Sequence, residues 1–184
     1  FEMISIQAAD KTTRYTSLEP KNGKVLEDLL MADKNNTELA ITGYYNNSFT
    51  DKKVRGVSTY TLDKATGQAD SKHFQLTMDK MDYGLPLLNL SRLASAGDGS
   101  FFLIGEQRYS QNQQVMSGSP SALTIDARYY SGDLLISHIS ADGMVDKMAR
   151  VAKIESSMIR NSKSYFEMCN ENGLYIFYNR MGRD

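Results

Sequence analysis

One cysteine, Cys169, and no tryptophan occur among 184 residues, with three prolines and two histidines. A single thiol closes no internal disulfide and builds no cysteine-rich zinc site, which excludes the small stapled and zinc-knit domains. Neither sign of charge is in excess, since 21 Lys and Arg stand against 22 Asp and Glu, with the basic residues spread along the chain. Nothing here offers an electrostatic footprint for a phosphate backbone, and nucleic acid is not an expected partner. Long apolar runs are missing as well. The longest resemble Phe101-Phe102-Leu103-Ile104, far short of the ~18 residues of a membrane-spanning helix, so no transmembrane segment is expected. An initiator methionine is absent: the chain opens at Phe1 with no charged and apolar leader ahead of it. That start suggests removal of something N-terminal and a beginning in the middle of a structural unit.

What the chain has is strand signal. Met3-Ile4-Ser5-Ile6, Glu38 to Tyr45, Val57 to Leu62, Phe101 to Gly105, Leu134 to Ile139 and Leu174 to Tyr178 are short and rich in β-branched or aromatic residues. Between them lie Asn, Asp and Gly clusters such as Lys34-Asn35-Asn36, Ala65-Thr66-Gly67, Gly97-Asp98-Gly99, Ala141-Asp142-Gly143 and Glu171-Asn172-Gly173. Gly or Asn there supplies the positive φ that tight hairpins need. Leu87, Leu88, Leu90 and Leu93 would also line one face of a helix over Leu85 to Ala96. The Ala-Gly-Asp-Gly ending favours a strand from about Leu90 instead. Gln107 to Gln114 and Asp146 to Ile154 carry the same ambiguity more weakly.

The turns alternate between two kinds. One leads into an aromatic-rich strand, at Asn36, Gly99 and Gly173. The other follows an apolar strand with an Asp-containing turn, at Asp10, at Asp63 to Gly67 and at Asp142-Gly143. Naming the strands of one unit A to D, the chain reads CD, ABCD, ABCD, AB. The expected fold is therefore all-β, with consecutive four-stranded antiparallel blades of a β-propeller, partial at about three blade equivalents. Its divisions fall at 1–22 (end of one blade), 23–80 (blade), 81–155 (blade) and 156–184 (start of a further blade), all within one propeller-like region over 1–184. The units are longer than the ~40 to 50 residues of compact blades, which points to an exposed loop from Ser110 to Ser121, rich in Gln, Asn, Ser and Gly.

Several of these stretches are similar to a known group. Leu39 to Tyr45, Gly105-Glu106-Gln107-Arg108-Tyr109, Tyr130 to Ile136, Ala141-Asp142-Gly143, Lys153 and Leu174 to Asn179 resemble a family of exported proteins of Bacteroidetes bacteria with propeller-like repeats. The resemblance spans roughly Glu38 to Asn179. It implies a secreted, periplasmic or cell-surface location and a longer polypeptide, and its motifs are structural, with no catalytic residue to transfer. After Lys153 the pattern is broken, because Ile154-Glu155 stand where a Gln commonly follows.

Chemistry-bearing residues are few. His138 shares a strand face with Leu134 and Ile136 by period-two counting, and is more readily a structural or surface histidine than a base or ligand. His73, in a polar strand, is expected in solvent. Cys169 lacks a local base to activate it and suits a small buried hydrophobe. Asp79 and Asp82 lack the spacing of a calcium loop, and Asp98 and Asp142 suit turns. Neither Ser117-Gly118-Ser119 nor Ser95-Ala96-Gly97 forms a nucleophile elbow, and Gly97-Asp98-Gly99 precedes no helix that would make it a phosphate loop. Sequons at Asn35, Asn46 and Asn89 are read as chance in a bacterial setting. The eleven tyrosines recur beside the strands. Inter-blade packing explains that recurrence best, with an exposed recognition surface of Tyr44, Tyr45, Tyr109, Tyr129, Tyr130 and His138 as the functional alternative.

No catalytic, metal or cofactor site is expected. The leading expectation is a non-enzymatic binding or scaffold module that recognises a protein or glycan partner. The alternatives are a carbohydrate-active enzyme whose carboxylates converge only in three dimensions, or a structural subunit of a cell-envelope complex. Open strand edges at both ends lead to the expectation that the remaining blades of a longer chain, or a second copy, pair with this one.

Overall fold

A computed structural model of the chain describes residues 2–6, 13–18, 25–26, 28–48, 50, 53–76, 85–86, 88–116, 123–157, 164–170 and 172–178. Strands β1 (Glu2–Ile6) and β2 (Thr13–Ser17) form an antiparallel hairpin. The chain continues through β3 (Val25–Leu26), β4 (Leu30–Asp33), β5 (Glu38–Asn46), β6 (Lys53–Val54), β7 (Gly56–Asp63), β8 (Ala69–Gln75) and β9 (Leu85–Pro86). Strands β4, β5, β7 and β8 pair in sequence order as an antiparallel meander, with β3 extending the β4 edge of β5, and this is sheet 1. The short β6 and β9 pair with each other.

Sheet 2 repeats the plan. Strands β10 (Leu88–Ser95), β11 (Phe101–Met116), β12 (Leu123–Ile139) and β13 (Val145–Val151) form a second antiparallel meander, and β14 (Glu155–Ser157) adds to β12 beyond the end of β13. A last hairpin joins β15 (Tyr165–Asn170) to β16 (Gly173–Tyr178). Every pairing is antiparallel, and the described residues contain no helix. The strand expected from about Leu90 begins at Leu88, and Gln107 to Gln114 is strand, as is most of Asp146 to Ile154.

Local chemistry explains the turns. Asn35 Oδ1 accepts from the Thr37 and Glu38 backbone N–H at 2.8 and 2.7 Å and from the Thr37 hydroxyl at 2.9 Å, which fixes the β4–β5 turn. Asp98 does the same for Ser100 between β10 and β11, where Gly97 and Gly99 adopt φ of 91° and 86°. At such angles a Cβ is strained, so glycine is required. Asn35→Ala removes three acceptor contacts from an exposed turn. It is expected to cost about 1 kcal/mol, as for a modest hydrogen-bond loss, read as a shift in urea midpoint with unchanged slope.

The central strands carry buried residues on both faces, which is why stretches of β5, β7, β11 and β12 read as nearly continuous apolar or aromatic runs rather than as clean alternation. In β5, Ile41 and Tyr45 point to the β1–β2 side and pack with Leu18, Tyr60 and Leu62. Tyr44, of opposite parity, faces sheet 2 and packs with Val57, Leu103, Leu135 and Ile139. Ile104 and Leu134 occupy the far face of sheet 2 beneath Tyr165, Leu174 and Ile176 of the last hairpin. The layers therefore stack in chain order: hairpin, sheet 1, sheet 2, hairpin. On the outermost face of β15–β16, Phe166 and Phe177 stand opposite each other, as do Met168 and Tyr175, and all four are exposed.

Two expectations require correction. The stretch from Ser110 is not a loop through its length, because β11 holds register with β12 as far as Met116↔Leu123; regular cross-strand pairing carries the polar Gln and Asn residues in extended form. His73 is not solvated: its Nδ1 shares a 2.8 Å hydrogen bond with Ser58 Oγ and its ring meets the edges of Tyr45 and Tyr60. Asn46, whose sequon is read as chance, is 2% exposed. Asp10, Asp79, Asp82 and Ser117-Gly118-Ser119 lie outside the described residues.

Candidate functional site

The site that chemistry singles out lies between sheet 2 and the last hairpin. Glu106 sits on β11 with the parity of Phe102 and Ile104, so the strand aims a carboxylate into an apolar layer. Its side chain is fully buried, as is that of Lys153 from the link between β13 and β14. Lys153 Nζ donates to Glu106 Oε1 at 2.8 Å and to Ser164 Oγ at 2.6 Å. Ser164, at the threshold of β15, donates its hydroxyl proton to the same carboxylate oxygen. The other oxygen, Oε2, accepts from Arg108 Nε at 2.6 Å. A β-bulge between Glu106 and Arg108 turns the guanidinium back toward its neighbour two residues earlier.

Burial alone would push the Glu106 carboxyl up and is the largest single influence. The hydrogen bonds from Lys153, Ser164 and Arg108, with the lysine's charge, outweigh it and hold the group below its ordinary value. Glu106 is thus a carboxylate with three donors around it.

A cleft of about 320 Å³ opens beside this cluster. Its walls are the β10 segment Asn89 to Arg92 on one side and Ser164, Tyr165 and Glu167 on the other, with Arg108 between. Strand β10 carries a bulge here, since Leu90 faces Gly105 and Arg92 faces Ile104, leaving Ser91 as the extra residue. Tyr165 donates to Ser91 Oγ at 2.6 Å, and burial pushes its phenol up. Arg92 Nε meets Glu167 Oε1 at 2.8 Å, so each arginine of the cleft is pinned by a carboxylate through Nε.

A serine touching a lysine suggests nucleophilic catalysis, and the remaining contacts argue against it. An ammonium has donors only, so Lys153 in its ion pair takes no proton from Ser164. The serine's own acceptor is a carboxylate of depressed pKa, a weak base. The cluster is a closed clamp that ties β11, the β13–β14 link and β15 together. Among the described residues, no group of three or more His, Cys, Asp or Glu is gathered to hold a metal.

The residues singled out in the sequence lie elsewhere. Tyr44 and Tyr45 are 5% and 3% exposed and belong to the core, so neither can form a recognition surface; they point to opposite faces of a sheet covered on both. Tyr109 and Tyr130 stack with ring centroids 5.0 Å apart, half-buried, and Tyr129 is beside them on β12. His138 is at the far end of β12, where its Nδ1 meets Asp146 Oδ1 at 2.6 Å and its ring leans on Phe102. The proposed recognition set is therefore divided between two core positions, one tyrosine cluster and one remote histidine. Cys169 is half-buried, and burial pushes its thiol up, away from reactivity. Asp98 and Asp142 are turn residues, held below the ordinary carboxylate range first by the side-chain hydroxyls of Ser100 and Ser140.

The sequence contained one signal for the clamp: a glutamate at core parity in a strand buried on both faces. Nothing in the sequence marks Ser164, which reaches Glu106 only through the tertiary fold. Protein-family models, curated proteins and solved structures give no match to this chain.

Proposed function

We propose that the chain is a run of consecutive β-propeller blades from an exported protein of the Bacteroidetes type, serving as a non-enzymatic binding module for a protein partner. The carrying observation is the β11–β12 ribbon. Strand β10 leaves β11 at Gln107 and β14 reaches β12 only over Tyr129 to Ser131. From Gln111↔Arg128 to Met116↔Leu123 the ribbon pairs with nothing but itself among the described residues. Six paired positions at ~3.3 Å each carry it roughly 20 Å beyond the sheet. Among the described residues no strand pairs with either of its edges, the arrangement used for strand addition, and the Tyr109–Tyr130 stack stiffens its base.

The blade assignment draws on topology. Two four-stranded meanders are flanked by a leading and a trailing hairpin, which matches CD, ABCD, ABCD, AB. The backbones of successive layers come closest at their first strands, β4 with β10 and β10 with β15, as blades do around a propeller axis. The exposed Phe166, Met168, Tyr175 and Phe177 occupy the face that a following blade would cover.

The test is a photo-crosslinking amino acid placed at Gln111 or Arg128 in cells that make the protein, with Asp142 as a control position. The expected result is one discrete protein adduct from the ribbon positions and none from Asp142. Absence of an adduct at the ribbon, or the same products from all three positions, would overturn the assignment.

A further inference from the structure

We propose that the cleft between β10 and β15 is a binding site for the carboxylate of an acidic monosaccharide, a hexuronate-like sugar acid. This is separate from the ribbon, and the two stand or fall independently.

Charge is the first argument. Of the ionised groups that line the cleft, Arg92 and Arg108 carry two positive charges and Glu167 one negative, which leaves one positive charge over. Behind them, the buried Lys153 and Glu106 neutralise each other. A monovalent anion in the cleft balances the set.

Geometry is the second. Both guanidiniums are held through Nε, which leaves the Nη groups with no acceptor among the described residues. An arginine fixed on one edge and open on the other offers parallel N–H donors that match the two oxygens of a carboxylate. The fixing carboxylates are already satisfied, so their repulsion of an incoming anion is offset within the cluster.

Size and lining give the ligand class. About 320 Å³ is at the small end of ligand sites, ~300 to 1,000 Å³, and suits a single sugar ring. The Ser91 hydroxyl accepts from Tyr165 and keeps its proton for a ring hydroxyl, while Tyr165 supplies an aromatic wall. Phosphate or sulfate alone would use the arginines and leave this hydroxyl lining unused.

The experiment is calorimetric titration of the intact chain with D-glucuronate, D-glucose, acetate and inorganic phosphate in low salt. Binding of glucuronate with little or none of glucose, and acetate and phosphate much weaker, is expected. Arg92→Gln, an exposed position whose loss leaves the clamp intact, is expected to weaken glucuronate on the order of tenfold, the loss of one charge-assisted hydrogen-bonded contact. Equal binding of glucose would remove the carboxylate from the assignment, and equal binding of phosphate would remove the sugar. Unchanged affinity in Arg92→Gln, with circular dichroism showing the native fold, would overturn the site itself.

Discussion

Lys153→Met is expected to destabilise the protein by about 3–5 kcal/mol, the range for leaving one partner of a buried ion pair without its counterpart. The methionine fills a similar volume, so the loss is electrostatic rather than a cavity. Glu106 would remain fully buried with Arg108 and Ser164 as its only donors. Glu106→Gln inverts the defect by leaving the ammonium without a carboxylate. The double variant Glu106→Leu/Lys153→Met removes both charges and is expected to recover most of the loss, since replacing a whole buried pair by apolar groups is often close to neutral. Urea unfolding followed by circular dichroism measures all three. A loss under about 1 kcal/mol in Lys153→Met, typical of exposed pairs, would show that the pair is solvated and the clamp no anchor of the last hairpin.

The same cluster sets a pH dependence. Glu106 is held below its ordinary pKa of 4.5 in the folded state, so the unfolded chain binds its proton at higher pH than the folded one does. Its contribution is therefore complete above that ordinary value and lost as pH falls through the lower, folded one. Glu106→Gln should flatten the acid limb of a stability–pH curve without abolishing it. Asp63, Asp98 and Asp142 are also held low, by hydrogen bonds in their turns.

How far the sequence foretold these results depends on the range of the interactions. Turn residues act within three or four positions, so Asn35, Asp63, Asp98 and Gly143 could be read directly, and with them the alternation of hairpins that orders the strands of the two meanders and the flanking hairpins; the short β3, β6, β9 and β14 were not foreseen. Burial of both sheet faces also left a trace, because runs such as Phe101-Phe102-Leu103-Ile104 do not alternate. The helix alternative over Leu85 to Ala96 fails for the same reason: Leu88 and Ala94 are buried by layers on both sides of sheet 2, which a one-sided helix stripe would not require. What escaped was whatever depends on approach between layers. Adjacent Tyr44 and Tyr45 look like an aromatic surface patch until strand pleating sends them into two different cores. The clamp draws Glu106, Lys153 and Ser164 from three separate segments, and only Glu106 breaks a local pattern. The ribbon escaped because glutamines and asparagines carry loop propensity, whereas cross-strand register, a property of two segments together, decides their conformation.

The second large effect belongs to the seam between the sheets. Gly105 lies on the sheet 1 side of β11, where an added Cβ would come 2.6 Å from Tyr44 Cε2 and 3.0 Å from Leu88 Cγ. Tyr44 cannot retreat: it is 5% exposed, and its hydroxyl donates to the Leu135 carbonyl of sheet 2 at 3.2 Å. Burial also pushes its phenol up, so the donor keeps its proton at any ordinary pH. The ring thus occupies the space that a glycine leaves, and two backbones are brought together by a residue pair rather than by either residue. Tyr44→Ala is expected to cost about 3–5 kcal/mol, as for other aromatic-to-alanine changes in cores. Gly105→Ala is expected to cost roughly 1–3 kcal/mol through overpacking. In a Tyr44→Leu background, where the ring edge is gone and the Leu88 contact remains, the same alanine should cost less, giving a coupling of about 1 kcal/mol or more. Additive losses in that cycle would mean that the sheets separate at this seam in solution, and that the contact of Tyr44 with sheet 2 does not hold the two meanders together.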